Sequence, residues 1–199
     1  MSRYYTCSGW ITYSIGDMIC GNRPIYCANT YTSILAGDLP VIRLINHTKI
    51  FGTLHLYVKT PQGEPVYLHE FSDIRFFYKP NVIRWELADD RIPGRITLTV
   101  GAPERAEGYL LQIEAQESLQ LYYTYGGFVR FPMQAGASKE EGWNLSVSIT
   151  PELKEPFLTR PSEPAGIRGD GNEVMIRALG ETVYLRVPES AELDTDGTG

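Results

Sequence analysis

Histidine and cysteine are the residues from which this chain could build a nucleophilic or metal-dependent centre, and it contains three of each. A serine or cysteine nucleophile needs a histidine base and a third group that orients that base. No GxSxG turn and no CGxC signature accompanies any of the histidines. The cysteines have neither CxxC spacing nor a nearby histidine that would indicate zinc. We therefore predict no catalytic residue, no metal and no cofactor among these side chains, which are Cys7, Cys20, Cys27, His47, His55 and His69.

Two pairs of adjacent carboxylates are the other source of chemistry, because glycoside hydrolysis uses two carboxyl groups that flank the scissile bond. The pairs are Asp89-Asp90 and Glu140-Glu141. Adjacent acids in a polar loop are usually solvated, whereas a general acid needs a desolvated pocket that raises its pKa. We expect turn residues, and the enzymatic alternative places Glu140 or Glu141 opposite Asp89 or Asp90 across a cleft.

Aromatic side chains are the strongest functional signal in the sequence. The segment Tyr122–Phe128 is predicted to leave a strand and enter a long loop that ends at Trp143. Tyr125, Phe128 and Trp143 flank glycines and charges, where a ring stays partly exposed and can stack on the CH surface of a sugar. The competing interpretation is core packing, because half of the side chains of an antiparallel strand face the core. A second, weaker aromatic cluster consists of Trp10, Tyr26 and Tyr31.

The charge balance restricts the partners. The formal net charge is −6 and the lysines and arginines are scattered, whereas nucleic-acid binding requires a basic stripe. We expect no nucleic acid, and neutral or cationic partners. The longest apolar stretches, such as Leu54–Val58, are much shorter than the roughly 20 residues that span a bilayer, so no membrane span is predicted.

Short runs of β-branched and aromatic residues, separated by turn residues, predict an all-β antiparallel sandwich with very little helix. Two stretches are predicted to be turns or loops: Gly21–Pro24, and the polar stretch that contains Gly166, Gly169 and Gly171. Val66–His69 is predicted to be a strand. We expect one β-sandwich domain over residues 1–190 and a polar tail or linker over residues 191–199.

Three motifs resemble the opening domain of an uncharacterised family of large bacterial glycan-utilisation proteins. They are Gly21–Cys27 (GNRPIYC), Ser33–Pro40 (SILAGDLP) and Leu121–Gly127 (LYYTYGG). In that family a β-sandwich of the supersandwich type precedes an (α/α) barrel, as in several glycoside hydrolase families. The resemblance implies that the catalytic carboxylates lie in a barrel that is not part of this sequence, so no catalytic residue is carried over.

These observations lead to three functional expectations. The first is a non-catalytic accessory β-sandwich of a carbohydrate-active protein, which shapes the substrate cleft of a neighbouring catalytic domain. The second is a carbohydrate-binding module that uses Tyr125, Phe128 and Trp143. The third is a glycoside hydrolase that uses the carboxylate pairs. The expected partners are therefore a glycan or a catalytic domain, and the resemblance implies a periplasmic or secreted protein whose signal peptide was removed.

Overall fold

The fold of the chain is taken from a computed structural model, which describes residues 5–7, 10–14, 22–26, 32–46, 49–130 and 166–191. These residues form antiparallel β-sheets arranged as in a sandwich, with one short 3₁₀ helix, and this confirms the predicted all-β class. No helix in these ranges is long and apolar enough to cross a membrane. The strands are β1 Tyr5–Cys7, β2 Trp10–Ser14, β3 Asn22–Tyr26, β4 Thr32–Gly37, β5 Ile42–Asn46, β6 Lys49–Lys59, β7 Pro65–Tyr67, β8 Asp73–Lys79, β9 Val82–Asp89, β10 Ile92–Gly101, β11 Leu110–Ala115, β12 Leu121–Arg130, β13 Gly166–Asp170, β14 Glu173–Ala178 and β15 Glu181–Arg186, and the helix η1 is Leu68–Glu70.

The described strands form three sheets. The first sheet has the order β1-β2-β8-β9-β10-β11, and each neighbouring pair is antiparallel. The second has the order β12-β6-β5-β4-β3, with β7 paired to β6, and the third has the order β13-β14-β15. The chain therefore builds β1 and β2, crosses into the second sheet, and returns to the first sheet at β8. This return places β8 beside β2, which is far away in the sequence.

The chain divides into two compact units. The first comprises residues 1–47 and 53–125, and the second comprises residues 48–52 and 126–199. The prediction of a single domain over residues 1–190 stays a prediction.

The core of the first unit follows from strict alternation along the central strands. Every second side chain of β9 is buried, among them Ile83, Trp85 and Leu87, because successive residues of a strand point to opposite faces of the sheet. Trp85 also joins the two sheets of this unit. Its indole Nε1 donates a buried hydrogen bond of 3.1 Å to the carbonyl oxygen of Gly37 in β4, which satisfies the polar group of a fully buried tryptophan.

The second unit contains the third sheet. Val174, Ile176 and Ala178 alternate along β14 and are buried, so one face of this small sheet is covered. Within the same unit, Lys49 Nζ lies 2.7 Å from Glu181 Oε1. This ion pair ties residues 48–52 to the hairpin of β14 and β15.

Four local predictions were wrong. The segment Tyr122–Phe128 does not leave its strand for a loop, because β12 continues to Arg130. Residues 22–24 of the expected turn belong to β3, which ends the strand order of the second sheet. Pro24 is tolerated there because an edge strand has N–H groups that need no ladder partner. Residues 166–170 of the expected polar loop form β13, whose pairing with β14 supplies the hydrogen bonds that its composition did not predict. The expected strand Val66–His69 stops at Tyr67, where η1 begins.

Candidate functional site

The predicted aromatic platform is only partly within the described residues. Tyr125 lies on β12 and is partly buried, and this burial, followed by the neighbouring Tyr109, raises the pKa of its phenol. Phe128 lies further along β12, but its side chain and the whole of Trp143 are outside the described part of the chain. The platform of Tyr125, Phe128 and Trp143 therefore stays a prediction.

Trp10, from the weaker predicted cluster, lies on the first sheet in a different aromatic environment. Strand β2 pairs with β8 so that Ile11 is opposite Tyr78, which brings the preceding residue, Trp10, next to the end of β8. The indole meets the Phe77 ring edge to face, with 6.4 Å between ring centroids and an interplanar angle of 84°. Both rings keep partial contact with solvent. Tyr26 lies on β3, its side chain is outside the described part, and so is Tyr31.

Two cations lie over these rings. Lys79 Nζ is 4.4 Å from the centroid of the Trp10 ring. Arg84 Cζ is 5.0 Å from the same ring and 4.4 Å from the centroid of Phe77. Phe77 and Arg84 are directly opposite in the hairpin of β8 and β9, so they share the face that alternates with the buried residues of β9. We call Trp10, Phe77, Lys79 and Arg84 the tryptophan cluster.

Among the described residues, little negative charge balances the tryptophan cluster. Arg84 Nη2 approaches Glu86 Oε1 at 3.3 Å, which is a single contact and not the bidentate pair that an arginine can form. The Nε atom of Arg84 is buried and makes no hydrogen bond within the described residues. The tryptophan cluster thus presents two cations and two aromatic rings on a partly exposed sheet face.

A second aromatic group lies on the second sheet and begins with three tyrosines. Tyr57 of β6 and Tyr67 of β7 are directly opposite, with ring centroids 5.4 Å apart. Tyr57 also stacks on Tyr122 of β12, with centroids 5.1 Å apart and planes 14° from parallel. Lys59 Nζ lies 4.5 Å from the centroid of the Tyr122 ring. The tyrosine rings therefore contact one another, and Lys59 lies over one of them.

Two histidines extend this group towards the interior. His69 contacts Tyr67 at 5.4 Å and His55 at 5.6 Å between ring centroids. Burial, followed by the charges of His69 and Arg43, lowers the pKa of His55 to about 4, and burial also lowers the pKa of His69. Both imidazoles are therefore neutral at pH 7. We call the three tyrosines, the two histidines and Lys59 the tyrosine–histidine cluster.

The described part of the chain holds no group of three or more histidine, cysteine or carboxylate side chains that could bind a metal ion. His55 and His69 lie together, with 5.6 Å between their ring centroids, but no third ligand joins them within these residues. Their arrangement is that of aromatic packing against Tyr67.

Asp89 holds a turn. Its Oδ1 accepts hydrogen bonds from Arg91 N and Nε at 3.0 and 2.7 Å, and its Oδ2 accepts them from Ser72 N and Arg91 Nη2 at 3.1 and 2.9 Å. The Arg91 side chain, helped by the two backbone N–H groups, lowers the pKa of Asp89 to about 2. A carboxylate that stays ionised and fully hydrogen-bonded lacks the proton that a general acid must donate. Asp90 is exposed, and Glu140 and Glu141 lie outside the described residues.

Sequence reasoning missed three members of the tryptophan cluster: Phe77, Lys79 and Arg84. The pair of Phe77 and Arg84 had a readable signal, because the turn at Pro80-Asn81 sets the register of the β8–β9 hairpin. The contact of Trp10 with these residues had no signal in the sequence, because β2 and β8 are far apart in the chain and become neighbours only when the chain returns to the first sheet.

Comparison of the chain with protein-family models, curated proteins and solved structures finds no match.

Proposed function

We propose that this chain is a non-catalytic β-sandwich module that binds carbohydrate, and that the tryptophan cluster is its binding surface. The observation that carries the proposal is the placement of Trp10 beside Phe77 on a partly exposed sheet face, with Lys79 and Arg84 over the rings. Aromatic faces pack against the CH surfaces of sugars, and cationic donors beside them bind sugar oxygens. Trp10 and Phe77 are both partly exposed, so solvent and a sugar ring have access to them.

The rings are accessible at a small energetic penalty. An exposed cation–π contact is worth about 0.5–1 kcal/mol, so an incoming sugar can displace the exposed side chain of Lys79 from the indole. The tyrosine–histidine cluster supports binding less well, because its ring faces already contact one another.

The test is affinity gel electrophoresis of the full chain through gels that contain individual plant and host polysaccharides. We expect at least one polysaccharide to retard the chain, Trp10→Ala to abolish the retardation, and Trp143→Ala to preserve it. Loss of retardation in Trp143→Ala alone would move the site to the platform predicted from the sequence. Uniform migration through every gel would refute carbohydrate binding.

A second candidate function is the accessory role, in which the sandwich packs against a neighbouring catalytic domain. It is supported by two exposed apolar side chains of β11, the strand that ends the order of the first sheet: Leu110 is 68% exposed and Ile113 is 39% exposed. The two residues are three positions apart and therefore point to opposite faces of β11, so the exposed apolar atoms border the edge of the sheet, and exposed apolar surface is one mark of interaction sites. The double substitution of Leu110 and Ile113 by serine should reduce the binding of a hydrophobic fluorescent dye, and unchanged dye binding would remove the support for docking through β11.

A further inference from the structure

Resting on the proposed function, we propose that the tryptophan cluster takes an acidic glycan. A carboxylate or sulfate of the glycan pairs with Lys79 and Arg84 while a sugar ring packs against Trp10. The net charge of −6 does not suggest an anionic ligand. The local distribution of charge around Trp10 does.

The geometry places both cations at one ring. Lys79 Nζ and Arg84 Cζ are 4.4 and 5.0 Å from the centroid of Trp10, so both charges border the same ring, and the proposed anion binds beside that ring. Arginine presents a planar fork that matches a carboxylate or sulfate, and lysine presents a point charge on a flexible stem. Together they provide charge-assisted donors on a surface that an aromatic ring shields from part of the solvent.

The charges within the tryptophan cluster leave room for an anion. Lys79 has no ion pair among the described residues, and Arg84 has the single contact with Glu86 at 3.3 Å. Two cations near one ring repel each other, and a bound anion relieves this repulsion. A neutral sugar would gain ring packing and hydrogen bonds from the two cations to its hydroxyl oxygens, but no charge–charge attraction.

Two other lysine–aromatic contacts in the molecule are built differently. Lys49 lies 5.8 Å from the Phe51 ring and is neutralised by Glu181 at 2.7 Å. Lys59 lies over Tyr122 without a second cation at that ring among the described residues. The tryptophan cluster therefore differs from these two contacts because two cations lie near one partly exposed tryptophan.

The experiment compares glycans that differ only in charge, using isothermal titration of the full chain. One arm uses polygalacturonate and its fully methyl-esterified form, and the other uses dextran sulfate and dextran. Polyglutamate serves as an anion without sugar. The variants are Lys79→Met, Arg84→Gln and, if Arg84→Gln does not fold, Arg84→Lys. Lys59→Met is the matched control, because it removes a lysine from an aromatic ring on the other sheet.

We expect the chain to bind at least one acidic glycan about tenfold or more tightly than its uncharged counterpart, because the anionic group adds charge–charge attraction to the hydrogen bonds that both glycans make with Lys79 and Arg84. Lys79→Met and Arg84→Gln should each remove most of this preference, and Lys59→Met should keep it. The arm that shows the preference identifies carboxylate or sulfate as the anion.

Three results would overturn the inference. Equal affinity for charged and uncharged glycans would refute the acidic ligand and leave carbohydrate binding intact. Equal affinity for polyglutamate and the acidic glycan would show a general polyanion surface. A preference that survives in Lys79→Met and Arg84→Gln would place the acidic site elsewhere. Failure of every glycan to bind would instead refute the proposed function itself.

Discussion

Two clusters of aromatic and basic side chains lie on different sheets of the first unit, and they differ in how much water reaches them. The tryptophan cluster holds its two cations on a partly exposed face. The tyrosine–histidine cluster runs inward to His55, which is 1% exposed, and there burial keeps the imidazole neutral. The two clusters therefore have different roles. Desolvation penalises a charge in the buried part of the tyrosine–histidine cluster, whereas solvent stabilises the charges of the tryptophan cluster.

The largest effect on stability is expected from the removal of the buried His55 side chain. We expect His55→Ala to lower the free energy of unfolding by about 2–4 kcal/mol, because it leaves a cavity beside His69 and Tyr67. Lys59→Met, on the same strand and the same face but exposed, should lower it by no more than about 1 kcal/mol. Urea denaturation of both variants measures this contrast. Equal effects would show that His55 is not part of a packed core.

The same histidine predicts a pH dependence of stability. The pKa of His55 is lowered from 6.5 to about 4 in the folded protein, so between these values the unfolded chain binds a proton that the folded chain does not. Stability is therefore full above pH 6.5 and falls as the pH drops towards 4, by on the order of 2 kcal/mol. His69, whose pKa is also lowered, adds in the same direction.

Urea midpoints at pH 7 and pH 4.5 test this expectation. The variant His55→Gln removes the titrating group and should show a smaller change between the two pH values than the unmodified chain. An unmodified chain that is as stable at pH 4.5 as at pH 7 would contradict it.

A smaller effect is expected at the turn that ends β9, the strand that carries Arg84. Asp89→Asn weakens the interaction with Arg91 and should lower the free energy of unfolding at pH 7 by about 1–2 kcal/mol. The pKa of Asp89 is lowered from 3.8 to about 2, so its contribution is present above pH 4 and is lost as the pH falls towards 2. The gap between variant and parent should narrow over that range, and Asp90→Asn, at an exposed neighbour, is the control.

The smallest effect on stability is expected for the two lysines that lie over aromatic rings. Lys79→Met and Lys59→Met should each lower the thermal unfolding free energy by no more than about 0.5–1 kcal/mol, because each loses one exposed cation–π contact. Calorimetry of both variants measures this. A large destabilisation by Lys79→Met alone would mean that the tryptophan cluster serves folding, and would weaken its interpretation as a binding surface.

The periodicity of the chain predicted most of the fold well because strands are local patterns. Buried and partly exposed side chains alternate along β9, and the turn at Pro80-Asn81 joins β8 to β9. The errors fell where pairing outweighs composition: β3 contains a proline at a sheet edge, and β13 is a glycine-containing polar strand held by its neighbour. Strand pairing satisfies backbone groups whatever the side chains are.

The candidate site was predicted less well. Trp10 was recognised as a weaker candidate, but its companions were not, since aromatic residues in the sequence do not show which ring lies beside which cation. Asp89 was expected to be a solvated turn residue, but it is the last residue of β9 and is buried. Its carboxylate accepts a hydrogen bond from the backbone N–H of Arg91 two residues away, which is a common arrangement where an acid precedes a turn.

The sequence by itself determined the all-β class and the net charge. These properties follow from local alternation, turn chemistry and composition. Only the tertiary structure decided that the chain returns to the first sheet at β8 and that β8 lies beside β2. This pairing brings Trp10 into contact with Phe77, Lys79 and Arg84. The burial of His55 was likewise decided by the tertiary structure. Burial and non-local pairing depend on which strands share a sheet. A net charge of −6 says nothing about where the charges lie, and so it did not reveal the two cations near the Trp10 ring.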